Sequence, residues 1–303
     1  SMQSTNDKIT FSELRENIKK FNRYEQASLS KDHRFDFPMW EKIKSSLYWM
    51  INTFDKEYQM GYDHFGMTRF NVITDRISAA IKRSYRSSYI DSALARKVKN
   101  EKFVYFPLSV EPERTLSISA PFYMDQLAII RNVARSIPVD CKLYVKEHMA
   151  MRYRHWRPIS YYKAVMDLPN VTFIHPSLGN KELIKNCSIV FTVTGTAGLE
   201  AAYYGKPSII FGHTSYDSLP SVHKIENLED LPKIIRTCLD EKVNPSDVAS
   251  LVKIIENVSF DFDIYEMNNK IEDRFHTGGF LISNKMPMDI LDSFLEENKT
   301  TFE

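Results

Sequence analysis

Apolar and polar positions change rhythm once along this chain, near residue 101. Before it, apolar and aromatic side chains return every three or four residues. Trp40, Ile43, Leu47, Met50, Ile51 and Phe54 share one helical face, and Phe70, Ile73, Ile77 and Ile81 share another. One proline, Pro38, and two glycines, Gly61 and Gly66, interrupt the first hundred residues, so the spacing predicts helices whose apolar stripes face a core. From residue 102 short β-rich runs alternate with amphipathic stretches. Strands are predicted at 102–106, 142–145, 171–174, 189–193 and 208–211. Helices are predicted between them at 125–136, 160–166, 181–185 and 197–203, with two more at 228–239 and 245–257. Strands separated by helices at this spacing imply right-handed crossovers and a parallel sheet with helices on both faces. The expected fold class is therefore α/β: a Rossmann-like parallel sheet at 101–260, preceded by a helical region at 1–100 and followed by a helical tail at 261–303.

Composition narrows the partners. With 303 residues, 43% of them hydrophobic, the chain can bury a real core, which excludes a disordered protein. Forty Lys and Arg against thirty-nine Asp and Glu leave a net charge of +1. That balance lacks the excess a nucleic-acid binder would carry, so no nucleic-acid partner is expected. Lys82, Arg83, Arg86, Arg96, Lys97 and Lys99 do gather in one stretch. A solvated charged helix is the plainer reading, and peripheral contact with an anionic membrane is the alternative.

The three cysteines, Cys141, Cys187 and Cys238, are far apart, odd in number and flanked by apolar residues, which reads as small buried hydrophobes in a reducing cytosol. No run approaches the roughly 20 apolar residues of a membrane span, and the polar start Ser1-Met2-Gln3-Ser4 does not read as a signal peptide. A cytoplasmic location is expected. Eight histidines without HxH or HExxH spacing give no metal site from sequence, and no cofactor is expected. Walker A, GxGxxG and GxSxG patterns are absent from the sequence, which removes the main warrants for a P-loop NTPase, a standard dehydrogenase or a serine hydrolase.

Ligands of an open parallel sheet bind beyond the carboxyl ends of its strands, so the junction residues carry the candidate chemistry. Thr194-Gly195-Thr196-Ala197-Gly198-Leu199-Glu200 joins a strand to a helix through two glycines and two hydroxyls, and five of the nine glycines lie between Gly179 and Gly212. Small residues admit a ligand to the backbone, and a helix N-terminus favours a phosphate. Thr196 would cap the helix and donate to a phosphate oxygen, while Glu200 could reach a ribose diol; an ordinary N-cap is the competing reading. Lys146-Glu147-His148 places charge and an imidazole at another strand end, either as a solvated loop or as a ligand contact. Arg152, Arg154, His155 and Arg157 surround Trp156, which suits an anionic ligand or a solvated basic loop.

In order along the chain, these junctions resemble the capsule polysaccharide biosynthesis family, which includes GT-B glycosyltransferases such as bacterial β-Kdo transferases. The resemblance runs over residues 102–225: Phe106-Pro107-Leu108, Glu111-Pro112-Glu113, Asp125-Gln126, Val145-Lys146-Glu147-His148, Arg157 with Tyr161-Tyr162, Pro169-Asn170-Val171, Thr194 to Ala201, Gly205-Lys206-Pro207 and Phe211-Gly212. It implies the C-terminal, nucleotide-sugar-binding half of a two-domain enzyme. His148 would correspond to the family histidine that holds the donor nucleotide. Thr194, Gly195 and Thr196 would form the phosphate loop, and Glu200 would be the acid that follows it. Glu113, Gln126 and Arg157 match positions near the cleft. The family's proline after that histidine is Met149 here, which leaves the loop less constrained.

The first hundred residues do not alternate strand and helix, so the resemblance implies an N-terminal acceptor domain lying outside this chain, and no catalytic residue is assigned. The implied activity is sugar transfer from a nucleotide-sugar donor, CMP-linked and acidic, to a polysaccharide or glycolipid acceptor, with peripheral contact at the inner face of the membrane as a further expectation. The alternatives are a polyol-phosphate transferase with a CDP-linked donor, a UDP-sugar epimerase, and a non-catalytic nucleotide-sugar-binding module.

Overall fold

Phe103-Val104-Tyr105-Phe106 buries four side chains in succession, which only a strand covered on both faces tolerates. These residues, with Pro107, form β1 (Phe103–Pro107) inside a six-stranded sheet. The computed structural model describes residues 68–258 apart from Tyr153, together with Trp40, Ile43, Lys44, Leu47 and Ile51. The remaining strands are β2 (Lys142–Lys146), β3 (Val171–Ile174), β4 (Val190–Thr192), β5 (Ser208–Ile210) and β6 (Val222–Lys224). Their order is β3-β2-β1-β4-β5-β6, and every pairing is parallel. Tyr105 of β1 lies opposite Tyr144 on one side and Val190 on the other.

Alternation along the strands splits the core between the two sheet faces. Val104, Phe106, Leu143, Val145 and Phe191 pack with Ile129, Ile130 and Val133 of the helix Gln126–Ser136, Tyr162 and Val165 of the helix Ile159–Met166, and Leu231 and Ile235 of the helix Leu231–Asp240. Phe103, Tyr105, Tyr144 and Val190 pack against Leu183 and Ile184 of the helix Asn180–Asn186 and Ala197 and Ala201 of the helix Ala197–Tyr203. Phe103 stacks on Tyr144 with ring centroids 4.2 Å apart. All three cysteines are free and buried, as their apolar neighbours suggested.

The expected α/β class with an all-parallel sheet is found, and the five sequence-predicted strands and their intervening helices fall within a residue or two of their expected positions. Two elements escaped the pattern. β6 is only three residues long, two of them polar, and the helix Arg114–Ser119 occupies what reads as a loop. The apolar stripes ahead of the sheet differ from expectation. On the helix Arg69–Ala93, Phe70, Ile77 and Ile81 are 73%, 57% and 65% exposed, and Trp40, Ile43, Leu47 and Ile51 are likewise exposed. Periodicity identifies residues that share a face; it does not say that anything covers the face. Among the described side chains of that helix, Ile90 and Ala79 are the buried apolar ones. Met50 and Phe54 lie outside the described residues.

Contacts divide the chain into two units, residues 1–249 and 250–303, and the whole sheet belongs to the first. The described part of the second is the later portion of the helix Ser246–Val258. Among the described residues no helix is long and apolar enough to cross a membrane.

Candidate functional site

The strand order reverses between β1 and β4: the chain steps outward from β1 through β2 to β3, then returns to the other side of β1 for β4, β5 and β6. Connections leaving the two central strands diverge there, the position at which an open parallel sheet offers its loops to a ligand. Parallel pairing puts these strand-end segments on that one edge: Ser109 to Glu113 after β1, Lys146 to His148 at β2, Thr194 to Glu200 after β4 and Gly212 to Tyr216 after β5.

On the β1 and β2 side, a buried polar network fixes the loops. Glu147 is 0% exposed and Arg157 3%. Arg157 Nε donates to Glu147 Oε2 at 3.0 Å, its Nη1 pairs with Glu111 Oε2, and its Nη2 donates to the Ser109 carbonyl at 2.6 Å. The other donors to Glu147 are the Tyr162 hydroxyl at 2.9 Å and the His148 N–H at 2.8 Å. Complete burial raises the Glu147 carboxyl above its usual range, and the Arg157 charge, the His148 N–H and the Tyr162 hydroxyl act in the opposite direction. Gln126 closes the network from the first turn of its helix. Its Nε2 donates to Glu111 Oε1 and to the Ser109 carbonyl at 3.2 Å, and its Oε1 accepts from the Ser109 N–H at 2.7 Å.

Arg157 reaches the network through a turn in which His155 and Trp156 adopt φ of 64° and 59°, the left-handed region that side chains disfavour. Arg86 on the helix Arg69–Ala93 donates to both of their carbonyls, at 3.1 and 2.8 Å, and Trp156 Nε1 donates to Ser87 Oγ at 2.8 Å. Arg154 donates to the Pro112 carbonyl at 2.6 Å. The four basic residues around Trp156 therefore do not form one patch: Arg157 points into the interior, and Arg154 binds main chain.

Lys146 is buried, and its Nζ donates to Asn180 Oδ1 at 2.5 Å. His148 is exposed at the rim, and its Nδ1 accepts from the Ala150 N–H at 3.1 Å, which leaves Nε2–H as the donor of the neutral ring. Crowding by protein atoms strips part of the ring's hydration. That effect, followed by the charges of Lys146 and Arg157, holds its pKa below the usual histidine value. Glu113 is half-buried at the N-cap of the helix Arg114–Ser119, where its carbonyl accepts from Ser117 N and Oγ at 3.1 and 3.0 Å.

On the β4 side, Thr192 Oγ1 accepts from the Gly195 N–H at 3.0 Å, and the Tyr216 hydroxyl donates to the Gly195 carbonyl. A Cβ at Gly198 would lie 2.7 Å from that hydroxyl, so the turn after β4 and the loop after β5 need glycine to approach each other. Thr196 departs from expectation. It occupies the N-cap position with helical φ and ψ of −65° and −13°, and its hydroxyl makes no capping bond. It donates instead to Glu200 Oε1 at 3.3 Å. A cap oxygen meets the first helical N–H groups from an extended backbone, which Thr196 does not have.

Sequence reading missed Lys224 at the end of β6, because that strand escaped it. Lys224 Nζ and His213 Nε2 are 2.9 Å apart, and His213 Nδ1 lies 3.3 Å from Asp217 Oδ2, so an imidazole and an ammonium stand together at the β5 and β6 end of the same edge. Tyr216, in the loop after β5, fixes the β4 turn through its bond to the Gly195 carbonyl.

Residues 9–223 match the family model described as "Capsule polysaccharide biosynthesis protein", a span that starts well before the motif run at 102–225. No curated protein matches the chain. Among solved structures, the chain is similar to the Thermosulfurimonas dismutans KpsC β-Kdo 2,7 transferase, at 16% identity over 56% of this chain and 53% of that one, with a TM-score of 0.37. It is similar to the β-Kdo 2,4 transferase of the same organism's KpsC, at 15% identity over 51% and 45%, with a TM-score of 0.36. It is also similar to the Methanocaldococcus jannaschii UDP-GlcNAc 2-epimerase in complex with UDP-GlcNAc and UDP, at 16% identity over 56% and 48%, with a TM-score of 0.35. The chain spans about half the length of these structures.

Proposed function

The chain belongs to the capsule polysaccharide biosynthesis protein family, and from that membership we propose that it is the donor-binding part of a glycosyltransferase. The donor is a nucleotide-activated sugar, CMP-linked and acidic, and the acceptor a polysaccharide or glycolipid. The observation that carries this reading is the reversal of strand order between β1 and β4, which puts the Thr194-Gly195-Thr196 turn and His148 on either side of the β1 end. In this reading the turn and His148 Nε2–H hold the phosphate, and the Glu200 carboxylate takes the ribose hydroxyls. Glu147, Arg157 and Gln126 act as positioning residues that fix the loops bearing His148 and Ser109.

Transfer breaks the bond between the sugar's anomeric carbon and the phosphate oxygen, and negative charge grows on the departing nucleotide. Donors already aimed at that oxygen interact more strongly with the expelled phosphate than with the bound donor, which lowers the barrier. Thr196 can join them by releasing its long bond to Glu200. The acceptor hydroxyl forms the new bond to the anomeric carbon and gives up its proton, a step to which no residue of this chain is assigned.

Thr196→Val and His148→Ala are each expected to weaken CMP binding about tenfold in calorimetry, the loss of one to two hydrogen bonds to a charged group, with the circular dichroism spectrum unchanged. Unchanged affinity in both variants removes the assignment. A thermal-shift series with CMP, CDP, UDP and GDP selects the donor class, since the ligand that prefers the native state raises the melting temperature most. Preference for CDP favours the polyol-phosphate reading, and preference for UDP the epimerase reading.

His148 also gives the site a pH signature. The free ring is neutral at pH 7 because its pKa is lowered, and an anion at Nε2 favours the protonated form. A proton taken up on binding goes to Nδ1 and displaces the bond from the Ala150 N–H, so affinity rises only as the pH falls below the usual histidine range, toward the lowered pKa of the free ring. His148→Gln is expected to lose the part of this slope that belongs to the ring. The same slope in both proteins would place the ligand away from His148.

A further inference from the structure

Sequence spacing gives no metal site, yet the fold assembles a mixed set of ligand atoms on the side of the sheet away from β3. His223 lies in the middle of β6, Cys238 in the last turn of the helix Leu231–Asp240, and Glu241 at that helix's C-cap. One imidazole nitrogen, one sulfur and one carboxylate oxygen from these residues lie within 4.8 Å of one another. His223 Nε2 and Glu241 Oε2 are 2.7 Å apart. Cys238 is buried, while His223 and Glu241 are 28% and 21% exposed, so the set is anchored inside and open to solvent on one side.

The other cysteines contrast with Cys238. Cys141 Sγ faces the Lys142 carbonyl at 3.8 Å and Cys187 Sγ the Ile184 carbonyl at 3.2 Å. Cys238 Sγ is instead gathered with an imidazole and a carboxylate. Sulfur and nitrogen donors disfavour magnesium and calcium, which take oxygen ligands, and suit a borderline-soft divalent ion. We propose that His223, Cys238 and Glu241 form a three-ligand site for a zinc-class divalent ion, with water in the fourth position on the exposed side.

Tetrahedral bonds of about 2.0–2.3 Å set ligand atoms roughly 3.5 Å apart, so the ion replaces the His223–Glu241 hydrogen bond and parts those two groups by less than about 1 Å. The thiol proton passes to solvent as the sulfur coordinates. The bound ion ties the edge strand β6 to the end of the helix that follows it. β6 ends at Lys224, the partner of His213, so the ion steadies this side of the sheet's carboxyl edge.

The test uses the full chain stripped of metal by chelation and titrated with cobalt(II). One equivalent is expected to produce a near-ultraviolet sulfur-to-cobalt charge-transfer band, and zinc(II) is expected to remove the band by displacement and to raise the melting temperature. Cys238→Ser should lose the band. Glu241→Gln and His223→Gln, at half-buried positions, should each weaken cobalt binding about tenfold or more. Saturation without a near-ultraviolet band, or a band that persists in Cys238→Ser, overturns the site. Should Cys238→Ser fail to fold, unchanged cobalt affinity in both Glu241→Gln and His223→Gln overturns it equally.

Discussion

Arg157→Met is expected to lower the stability of the sheet domain by about 3–5 kcal/mol, read as a fall in the urea midpoint, because it strands Glu147 as a buried charge without its cation. Glu147 is wholly inaccessible and Arg157 nearly so. Neither can fall back on water when its partner is removed. The long methionine side chain fills much of the vacated volume, so the loss reports the missing charge more than a cavity. Adding Glu147→Gln to Arg157→Met should recover part of the loss, because a neutral amide in place of the carboxylate removes the uncompensated charge. Residues in one hydrogen-bonded network do not add, and the double-mutant cycle measures that coupling. A single-mutant cost under about 1 kcal/mol, typical of an exposed pair, would mean that water reaches the network in solution.

The second large effect concerns Gly212, where the loop after β5 meets the turn after β4. A Cβ there would lie 2.6 Å from Thr194 Cγ2, 2.7 Å from the Ala120 Cβ and 3.0 Å from the Ser119 carbonyl oxygen. None of these can swing aside. The threonine is β-branched, the alanine has no rotamer, and the third neighbour is main chain. Gly212→Ala should therefore cost about 1–3 kcal/mol by overpacking, and it should weaken CMP binding about tenfold or more, because Thr194 is the neighbour pressed hardest. Gly179→Ala is the control. Nothing lies within 4 Å of its added Cβ and its φ of −65° is ordinary, so the only cost is the weaker N-cap that alanine gives its short helix: the melting temperature should fall slightly and the nucleotide affinity stay unchanged. Equal behaviour of the two variants would separate the β4–β5 approach from ligand binding.

The parts of the fold visible in the sequence are those set by local pattern. Phe103 to Phe106 and Val171 to Ile174 are apolar runs bounded by breakers, and the helices between them carry their own periodicity. β6 was hidden because Val222-His223-Lys224 pairs on one side only and has a single apolar residue to mark it. Exposure of Ile77 and Ile81 was hidden because a stripe is a local property and its cover is a tertiary one. At the site, the junctions could be read because strand ends are where a parallel sheet offers its loops. Their division of labour could not. Arg157 looked like one of four surface cations, and only the backward turn at His155 and Trp156 carries it inward to Glu147. His223, Cys238 and Glu241 come from a strand and a helix end, so no motif spacing joined them.

That backward turn has a mechanical consequence. The helix Arg69–Ala93 is pinned through Arg86 and Ser87 to the two residues that precede Arg157, and Arg157 grips the carboxylate that receives the His148 main-chain hydrogen. A tilt of that helix would strain this turn first, because its bonds end on the carbonyls of the two residues held in the left-handed region.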